Sequence, residues 1–211
     1  MDEEKQITSS DNGSGSSAGN YERKIEEFTF ADGTKWNANE FENKYKIYVK
    51  GTSDNDNLVG SNTLRGNYIQ GDSGHDIISG SSASDTYFYD KTDGIDTITE
   101  SGGNDKLKIN ANADDIILIK NGNDLRMMLN EFNMVDIKEW FTSEDNHIEK
   151  LETSDGMALY NNQIGQLVQA MASFEAEKGV SWLNEIHNNN EEAVNIAASY
   201  WVSNKVEESK E

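Results

Sequence analysis

Oxygen-bearing residues paired with apolar residues recur through the middle of the chain. In each pair an aspartate or asparagine is followed two residues later by a bulky aliphatic or aromatic side chain. The pairs, which follow one another at steps of 9 or 11 residues, are Asp56/Leu58, Asn67/Ile69, Asp76/Ile78, Asp85/Tyr87, Asp96/Ile98 and Asp105/Leu107. Because calcium and magnesium prefer hard oxygen ligands, this pattern predicts binding of a divalent cation.

Such a short period predicts a chain wound into flat turns, in which short strands carry the apolar residues inward and corners carry the oxygens. Successive half-turns lie on alternate sides of such a winding. We therefore expect Asp56, Asp76 and Asp96 on one edge, and Asn67, Asp85 and Asp105 on the other. Neighbouring strands lie about 4.7–4.9 Å apart, so an ion between two stacked corners can reach oxygens of both.

The composition limits the classes of partner. The chain has 211 residues, a formal net charge of −21 and an apolar fraction of 35%. Such a charge disfavours nucleic acid and anionic lipid as partners and favours cations. Cysteine is absent and the three histidines are scattered, which leaves calcium or magnesium as the expected metal rather than zinc. We expect no transmembrane segment, and residues 1–20 lack the apolar core of a cleavable signal peptide.

The composition changes along the chain predict six segments. They are a flexible acidic Gly/Ser linker at 1–22, the end of a preceding module as a β-hairpin at 23–47, a calcium-binding winding at 48–109, an antiparallel β cap at 110–160, C-terminal helices at 161–203 and a polar tail at 204–211.

One string of the sequence occurs twice in related form. IEEFTFADGTKW begins at Ile25, and IEKLETSDGMAL begins at Ile148, 123 residues later. Both predict a hairpin, with turns at Asp32-Gly33 and Asp155-Gly156. The repetition suggests that the chain is a piece of a longer array of modules.

Beyond Asn161 the apolar period becomes helical, with Ile164, Leu167, Met171 and Phe174 on one face. A second amphipathic stretch follows Gly179, so the pattern predicts a helical hairpin.

Residues 71–79, GDSGHDIIS, resemble the nonapeptide G-G-x-G-x-D-x-U-x of RTX proteins, the haemolysin-type calcium-binding repeat family. Residues 80–88 and 51–59 keep parts of the same motif, and the similarity covers about residues 25–160. The resemblance implies a mainly β fold: a parallel β-roll, which is a β-solenoid, with an antiparallel β cap and a C-terminal α-helical segment.

The resemblance also implies several Ca²⁺ ions, about three or four, with ligands at matching positions. The expected carboxylate ligands are Asp76, Asp85, Asp96 and Asp105, followed by Asp56. The residues expected to shape the corners and supply further oxygens are Gly71, Asp72, Ser73, Gly74, Gly80, Ser82, Gly94, Gly103 and Asp54.

The family suggests a calcium-binding module that folds on binding calcium after type I secretion from a Gram-negative bacterium. It would form the C-terminal part of a larger secreted toxin, adhesin or enzyme, with the type I secretion machinery as a partner. The C-terminal helices would be either the export signal or a structural cap.

Two alternatives stay open at this point. One is a structural or adhesive extracellular array in which calcium rigidifies the chain. The other is a hydrolase fragment, although H-E-x-x-H is absent and the G-x-S-x-G match, Gly15 to Gly19, lies in the expected linker. We therefore expect no catalytic activity.

Overall fold

The computed structural model describes residues 7–10, 27–30, 32–37, 47–62 and 65–204. This part of the chain is mainly β, with mixed parallel and antiparallel sheets and a few helices. Apart from residues 7–10, the predicted linker lies outside the described residues, and so does the predicted tail after Asn204.

A small antiparallel sheet comes first. Its strands are β1 (Ile7–Ser10), β2 (Glu27–Phe30) and β3 (Lys35–Asn37). Strands β2 and β3 form the hairpin predicted around Asp32-Gly33, where Gly33 adopts a positive φ of 82°. Strand β1 lies within the stretch predicted as linker, and its pairing with β2 gives its backbone groups hydrogen-bonding partners.

The next seven strands alternate between two parallel sheets. They are β4 (Ile47–Lys50), β5 (Asn57–Val59), β6 (Asn67–Gln70), β7 (Ile77–Ser79), β8 (Thr86–Asp90), β9 (Ile95–Thr99) and β10 (Lys106–Asn110). Strands β4, β6, β8 and β10 are neighbours in what we call the first sheet, and β5, β7 and β9 are neighbours in the second sheet. Each strand therefore pairs with the strand two further along the chain, one coil away.

The apolar residue of each sequence pair lies inside, between the two sheets. Ile69, Ile78, Tyr87, Ile98 and Leu107 are all buried. Side chains alternate across a strand, so residues on either side of these positions point outward. The predicted core positions are thus confirmed from the second pair onward, whereas Leu58, in the first coil, is only partly buried.

Further strands extend both sheets. They are β11 (Ile117–Asn121), β12 (Asp124–Asn130), β13 (Asn133–Ile137), β14 (Lys150–Thr153), β15 (Met157–Tyr160) and β16 (Val202–Ser203). The predicted cap was antiparallel throughout, but β13 is parallel to β9 and β14 is parallel to β10. Two successive hairpins, β11–β12 and β12–β13, reverse the chain twice, which returns β13 in the direction of β11 and parallel to β9.

Three helices follow in the described part of the chain. They are α1 (Asn161–Lys178), α2 (Trp182–His187) and α3 (Glu191–Ala198). The sequence predicted two. The additional short helix begins at Trp182, which is buried and meets Phe174 edge to face at 5.6 Å between ring centroids. Gly179 ends α1 in the left-handed conformation, as predicted.

The helices share the core of the sheets. Ile164, Leu167, Met171 and Trp182 belong to the same buried cluster as the inward residues of the strands. Within the described residues, no helix is both long and apolar enough to cross a membrane.

Candidate metal centre

The corners between strands stack into two columns on opposite edges of the sheets. The first edge consists of the corners at 51–56, 71–76 and 91–96. The second edge consists of the corners at 60–62 with 65–66, at 80–85 and at 100–105. The strand register aligns Asp56, Asp76 and Asp96 on the first edge, because Asn57 pairs with Ile77 and Ile77 with Thr97. The predicted division of these residues between two edges matches the observed register.

Carboxylates of the first edge connect one coil to the next. The backbone N–H of Asp56 donates to Oδ1 of Asp76 at 2.8 Å, and the N–H of Asp76 donates to Oδ1 of Asp96 at 3.0 Å. Each carboxylate thus accepts a hydrogen bond from the preceding coil. These bonds fix the side chains of the two buried aspartates, Asp76 and Asp96, inside the stack.

The second edge repeats this arrangement and extends it by one step. The N–H of Asn67 donates to Oδ1 of Asp85 at 2.5 Å, and the N–H of Asp85 donates to Oδ1 of Asp105 at 2.7 Å. The N–H of Asp105 in turn donates to Oε2 of Glu149 at 2.6 Å. Glu149 precedes β14 and therefore takes the position that an aspartate has in the earlier coils.

Oδ2 of Asp76 differs from its counterparts in two other corners. Thr52 donates through its N–H and its hydroxyl to Oδ2 of Asp56, at 2.7 and 2.9 Å. Ser81 does the same for Oδ2 of Asp85, at 2.7 and 3.0 Å. In the corner at 71–76 the corresponding residue is Asp72, whose side chain is a carboxylate. None of the described residues donates a hydrogen bond to the buried Oδ2 of Asp76.

A buried carboxylate oxygen without a donor needs another partner, and a cation is one. The pKa values of the first edge agree with this requirement. Burial raises the pKa of Asp76, and the charges of Asp56 and Asp72 raise it further against the opposing hydrogen bond from the Asp56 N–H. Burial likewise raises the pKa of Asp96 to about 7 and that of Asp93 to about 6, and the negative charge of Asp76 contributes to both shifts.

The second edge contains a group of three buried acids. Carboxylate oxygens of Asp85, Glu100 and Asp105 lie within 4.8 Å of one another. Burial raises the pKa of Glu100 to about 8, and the charges of Asp105 and Asp85 contribute, while the Tyr87 hydroxyl donates to Glu100 and lowers it. At neutral pH these charges repel one another unless a cation or a proton lies between them.

Glycines allow the corners to approach closely. A Cβ on Gly94, whose φ is +98°, would collide with the carbonyl oxygen of Gly74 in the neighbouring coil. A Cβ on Gly71 would collide with Oδ2 of Asp76. Both positions therefore need glycine for space, and Gly94 needs it for its backbone conformation as well.

The substitution Gly94→Ala should therefore destabilise the folded chain strongly. Positive φ costs an alanine about 1–2 kcal/mol, and the collision with Gly74 adds to this, so we expect a total of about 4 kcal/mol or more. The control is Gly102→Ala, because Gly102 has a similar φ of +114° but open space around its Cβ position. Urea unfolding with calcium present measures both. Equal losses of unfolding free energy in the two variants would contradict the close approach of the corners.

In the absence of calcium, protonation of the buried acids should partly compensate for the missing cation. The folded-state pKa values of Asp93, Asp96 and Glu100 are raised, so the stability that their protonated forms contribute is fully present below about pH 4. It is lost as the pH rises through about 6, 7 and 8. The calcium-free chain should therefore gain β-sheet signal in circular dichroism when the pH is lowered from 8 to 5.

Glu100→Gln is the matched variant for this pH dependence. Glutamine keeps the side-chain length and the acceptor for the Tyr87 hydroxyl but carries no charge to bury. The variant should show more β-sheet signal than the unsubstituted chain at pH 8 and a flatter profile. An unchanged profile would exclude Glu100 as a source of the pH dependence.

The other residues predicted as ligands lie in the same corners. Gly71, Asp72, Ser73 and Gly74 lie in the corner of Asp76, Gly80 and Ser82 in that of Asp85, Gly94 in that of Asp96, Gly103 in that of Asp105, and Asp54 in that of Asp56. The Asp72 carboxylate also contacts Nζ of Lys50 at 3.1 Å, and Asp54 is exposed. Whether each one binds calcium stays a prediction.

Three acids of this region were missed from the sequence. Glu149 stands two residues before the buried Leu151, so extending the pair rule to glutamate would have found it. Glu100 occupies the corner position that glycine holds at Gly80, a 20-residue period that would have marked it. Asp93 carries no sequence signal, because its burial arises from the stacking of corners.

Both edges fit calcium. They combine several carboxylates with closely stacked backbone carbonyls, which is an all-oxygen donor set without nitrogen or sulfur. Asp76, Asp96 and Asp56 would supply carboxylates on the first edge, and Asp85, Asp105 and Glu100 on the second. The sheets and their edges therefore define a class of protein, in which repeated parallel coils carry stacked acidic corners.

A particular relationship follows from comparison with known families. A family model described as haemolysin-type calcium binding protein related domain matches residues 7–40, the segment that includes β1, β2 and β3. The resemblance to haemolysin-type calcium-binding proteins is thereby confirmed. The match ends before the first corner, so the ligand assignments depend on the geometry of the corners. No curated protein matches the chain.

Proposed function

We propose that the chain is a calcium-binding module whose strands β4 to β10 are wound as a parallel β-roll. The observation that carries the proposal is the buried Asp76 carboxylate, whose Oδ2 receives no hydrogen bond from the described residues and lies among further acids. A Ca²⁺ ion beside Asp76 would supply the missing partner and offset the repulsion among Asp56, Asp72 and Asp96. The acids of the second edge would bind further ions in the same way.

Calorimetric titration of the whole chain with calcium tests this proposal. We expect binding of several ions, with dissociation constants of about 10⁻⁴–10⁻³ M, the range of extracellular calcium modules. Magnesium is the matched control, since it demands a tighter octahedral site and keeps its water. Absence of calcium binding, or equal binding of magnesium, would contradict the proposal.

Calcium binding would also control folding. The net charge of −21 and the buried acids oppose compaction where calcium is scarce, which would keep the chain loose inside a cell. Millimolar calcium outside would then bind the corners and stabilise the fold by mass action. This behaviour suits a module secreted by type I machinery as the C-terminal part of a larger toxin, adhesin or enzyme.

The C-terminal helices are the segment we propose for recognition by that machinery. They are buried against the sheets through residues such as Leu167 and Trp182, so in the folded chain they also act as a cap. Both roles are compatible if export precedes folding. Co-expression with a type I exporter tests the first role: the whole chain should reach the medium, and a chain lacking residues 161–203 should not.

An extracellular array is the second candidate function, and one observation favours it. The β2–β3 hairpin has the same register as the β14–β15 hairpin, each pair being 123 residues apart. The matching pairs are Glu27↔Asn37 with Lys150↔Tyr160, Phe28↔Trp36 with Leu151↔Leu159, and Thr29↔Lys35 with Glu152↔Ala158. The repetition in sequence is thus also a repetition in structure, as in proteins assembled from tandem modules.

We further propose that the chain has no catalytic activity of its own, because the four central aspartates of the two edges are buried and accept hydrogen bonds from backbone amides of neighbouring coils. They are Asp76, Asp85, Asp96 and Asp105. Hydrolysis of an ester or peptide substrate that persists after substitution of Asp76 and Asp85 would refute this.

A further inference from the structure

A row of aromatic rings, exposed at one end and half-buried along the rest, crosses the outer face of the first sheet. Tyr48, Tyr68 and Phe88 lie on the neighbouring strands β4, β6 and β8. Their ring centroids are 5.2 Å apart between Tyr48 and Tyr68, and 5.8 Å apart between Tyr68 and Phe88. The side chain of Tyr48 is 65% exposed. Tyr68 and Phe88 are half-buried. Pairs of aromatic residues on adjacent strands stabilise a sheet, but that role does not require the outermost ring to be as exposed as Tyr48.

The row leads into a groove of about 340 Å³ on the same face. The size is within the range of small-ligand sites. Beside Phe88, the groove is lined by the amides of Gln70 and Asn110, which donate and accept hydrogen bonds, and by the carboxylates of Asp90 and Glu152, which accept them. Some of these are held in place before any ligand arrives, since Nδ2 of Asn110 donates to Oδ2 of Asp90 at 2.6 Å.

The charges of this face largely cancel, unlike those of the whole chain. Lys50 pairs with Asp72 at 3.1 Å, and Lys106 and Lys150 pair with Glu152 at 3.3 and 2.6 Å. A polyanionic ligand would meet the repulsion of a chain with a net charge of −21. A cationic ligand would meet the lysines of this face, and the acids in the groove are already bonded, Glu152 to two lysines and Asp90 to the amide of Asn110.

We propose that the aromatic row and its groove bind an uncharged oligosaccharide. A sugar ring presents a face of C–H groups, which stacks on the negative face of an aromatic ring, and a rim of hydroxyl groups. Successive rings stand about one sugar unit apart, so a linear glycan laid along the row contacts them in turn. Its hydroxyl groups then reach Gln70, Asn110 and Glu152 in the groove.

Affinity electrophoresis of the whole chain in calcium-containing gels tests this proposal. The probes are two neutral polymers, hydroxyethyl cellulose and galactomannan, and one anionic polymer, polygalacturonate. We expect at least one neutral polymer to retard the chain and polygalacturonate not to. Tyr48→Ala and Phe88→Ala should each weaken the retardation about tenfold. The control is Phe132→Ala, which removes an aromatic ring that is 71% exposed but lies outside this face.

Circular dichroism in calcium must show that each variant is folded, and Tyr48→Ala, on the exposed edge strand, provides the variant least dependent on packing. The proposal would be overturned if neither neutral polymer retarded the chain. It would also be overturned if Phe132→Ala weakened the retardation as much as Tyr48→Ala and Phe88→Ala. Self-association that Tyr48→Ala abolishes would instead assign the face to a second copy of the chain. The face exists only if the sheets are folded, so failure of calcium binding is recognised separately, by the calorimetric titration.

Discussion

In a calcium chelator at neutral pH, the chain should lose most of its β-sheet signal, and millimolar calcium should restore it. Removing the cations leaves the acids around Asp76 and Glu100 buried, and at neutral pH protonation offsets their mutual repulsion only in part. At a calcium concentration ten times the dissociation constant, each site stabilises the fold by about 1.4 kcal/mol. Three or four sites therefore contribute about 4–6 kcal/mol, comparable to the whole stability of a small domain.

Circular dichroism during a calcium titration measures this effect, and magnesium at the same ionic strength is the control. The helical signal should follow the β-sheet signal, because Leu167, Met171 and Trp182 lie in the core shared with the strands. If the chain is equally folded in chelator and in calcium, binding and folding are not coupled, whatever the affinity of the chain for the ion.

The substitution Asp76→Asn should raise the calcium concentration needed for folding about tenfold, which corresponds to about 1.4 kcal/mol. Asparagine keeps an oxygen to accept the Asp56 N–H but removes the charge at the buried Oδ2 position. The calcium-free variant should be no less stable than the unsubstituted chain, since one source of repulsion is gone. A purely structural role for Asp76 would instead lower stability with and without calcium.

Asp115→Asn is the matched control for this experiment. Asp115 is exposed and lies in a short 3-10 turn away from both edges, so its charge change alters the net charge equally without touching a corner. Its calcium midpoint should stay within about twofold of the unsubstituted value. Equal shifts in the two variants would mean that net charge, rather than the corner at 71–76, governs the calcium dependence.

Much of the pair of parallel sheets could be predicted, because the rules that form these sheets are local. A period of two within each strand decides which side chains face inward, and steps of 9 and 11 residues decide the edge on which each aspartate lies. Ile78 and Ile98 are buried, and Asp76 and Asp96 align, for these reasons alone. Turns also carry local signals, as at Asp155-Gly156 between β14 and β15.

The remainder depends on contacts between distant residues. Strand β13 runs parallel to β9 because a hairpin lies between β10 and β13 in the chain. No local sequence pattern predicts the direction in which this hairpin returns the chain. The burial of Asp93 and the approach of Glu100 to Asp85 arise only when corners stack. The predicted pairs contain only aspartate and asparagine, so they do not include Glu149. The longer side chain of Glu149 takes an aspartate position, because the chain comes to this position from the loop between β13 and β14.

The carboxylates that link the coils give the stack a direction. In every link the amide belongs to the earlier coil and the accepting oxygen to the later one, ending at Glu149. Removing the first coil would therefore take no carboxylate acceptor from a later corner, although the N–H of His75 would lose the side-chain oxygen of Asn55. Removing the last would take the Glu149 carboxylate from the amide of Asp105. We therefore expect the series of carboxylate links to depend more on its C-terminal end than on its beginning.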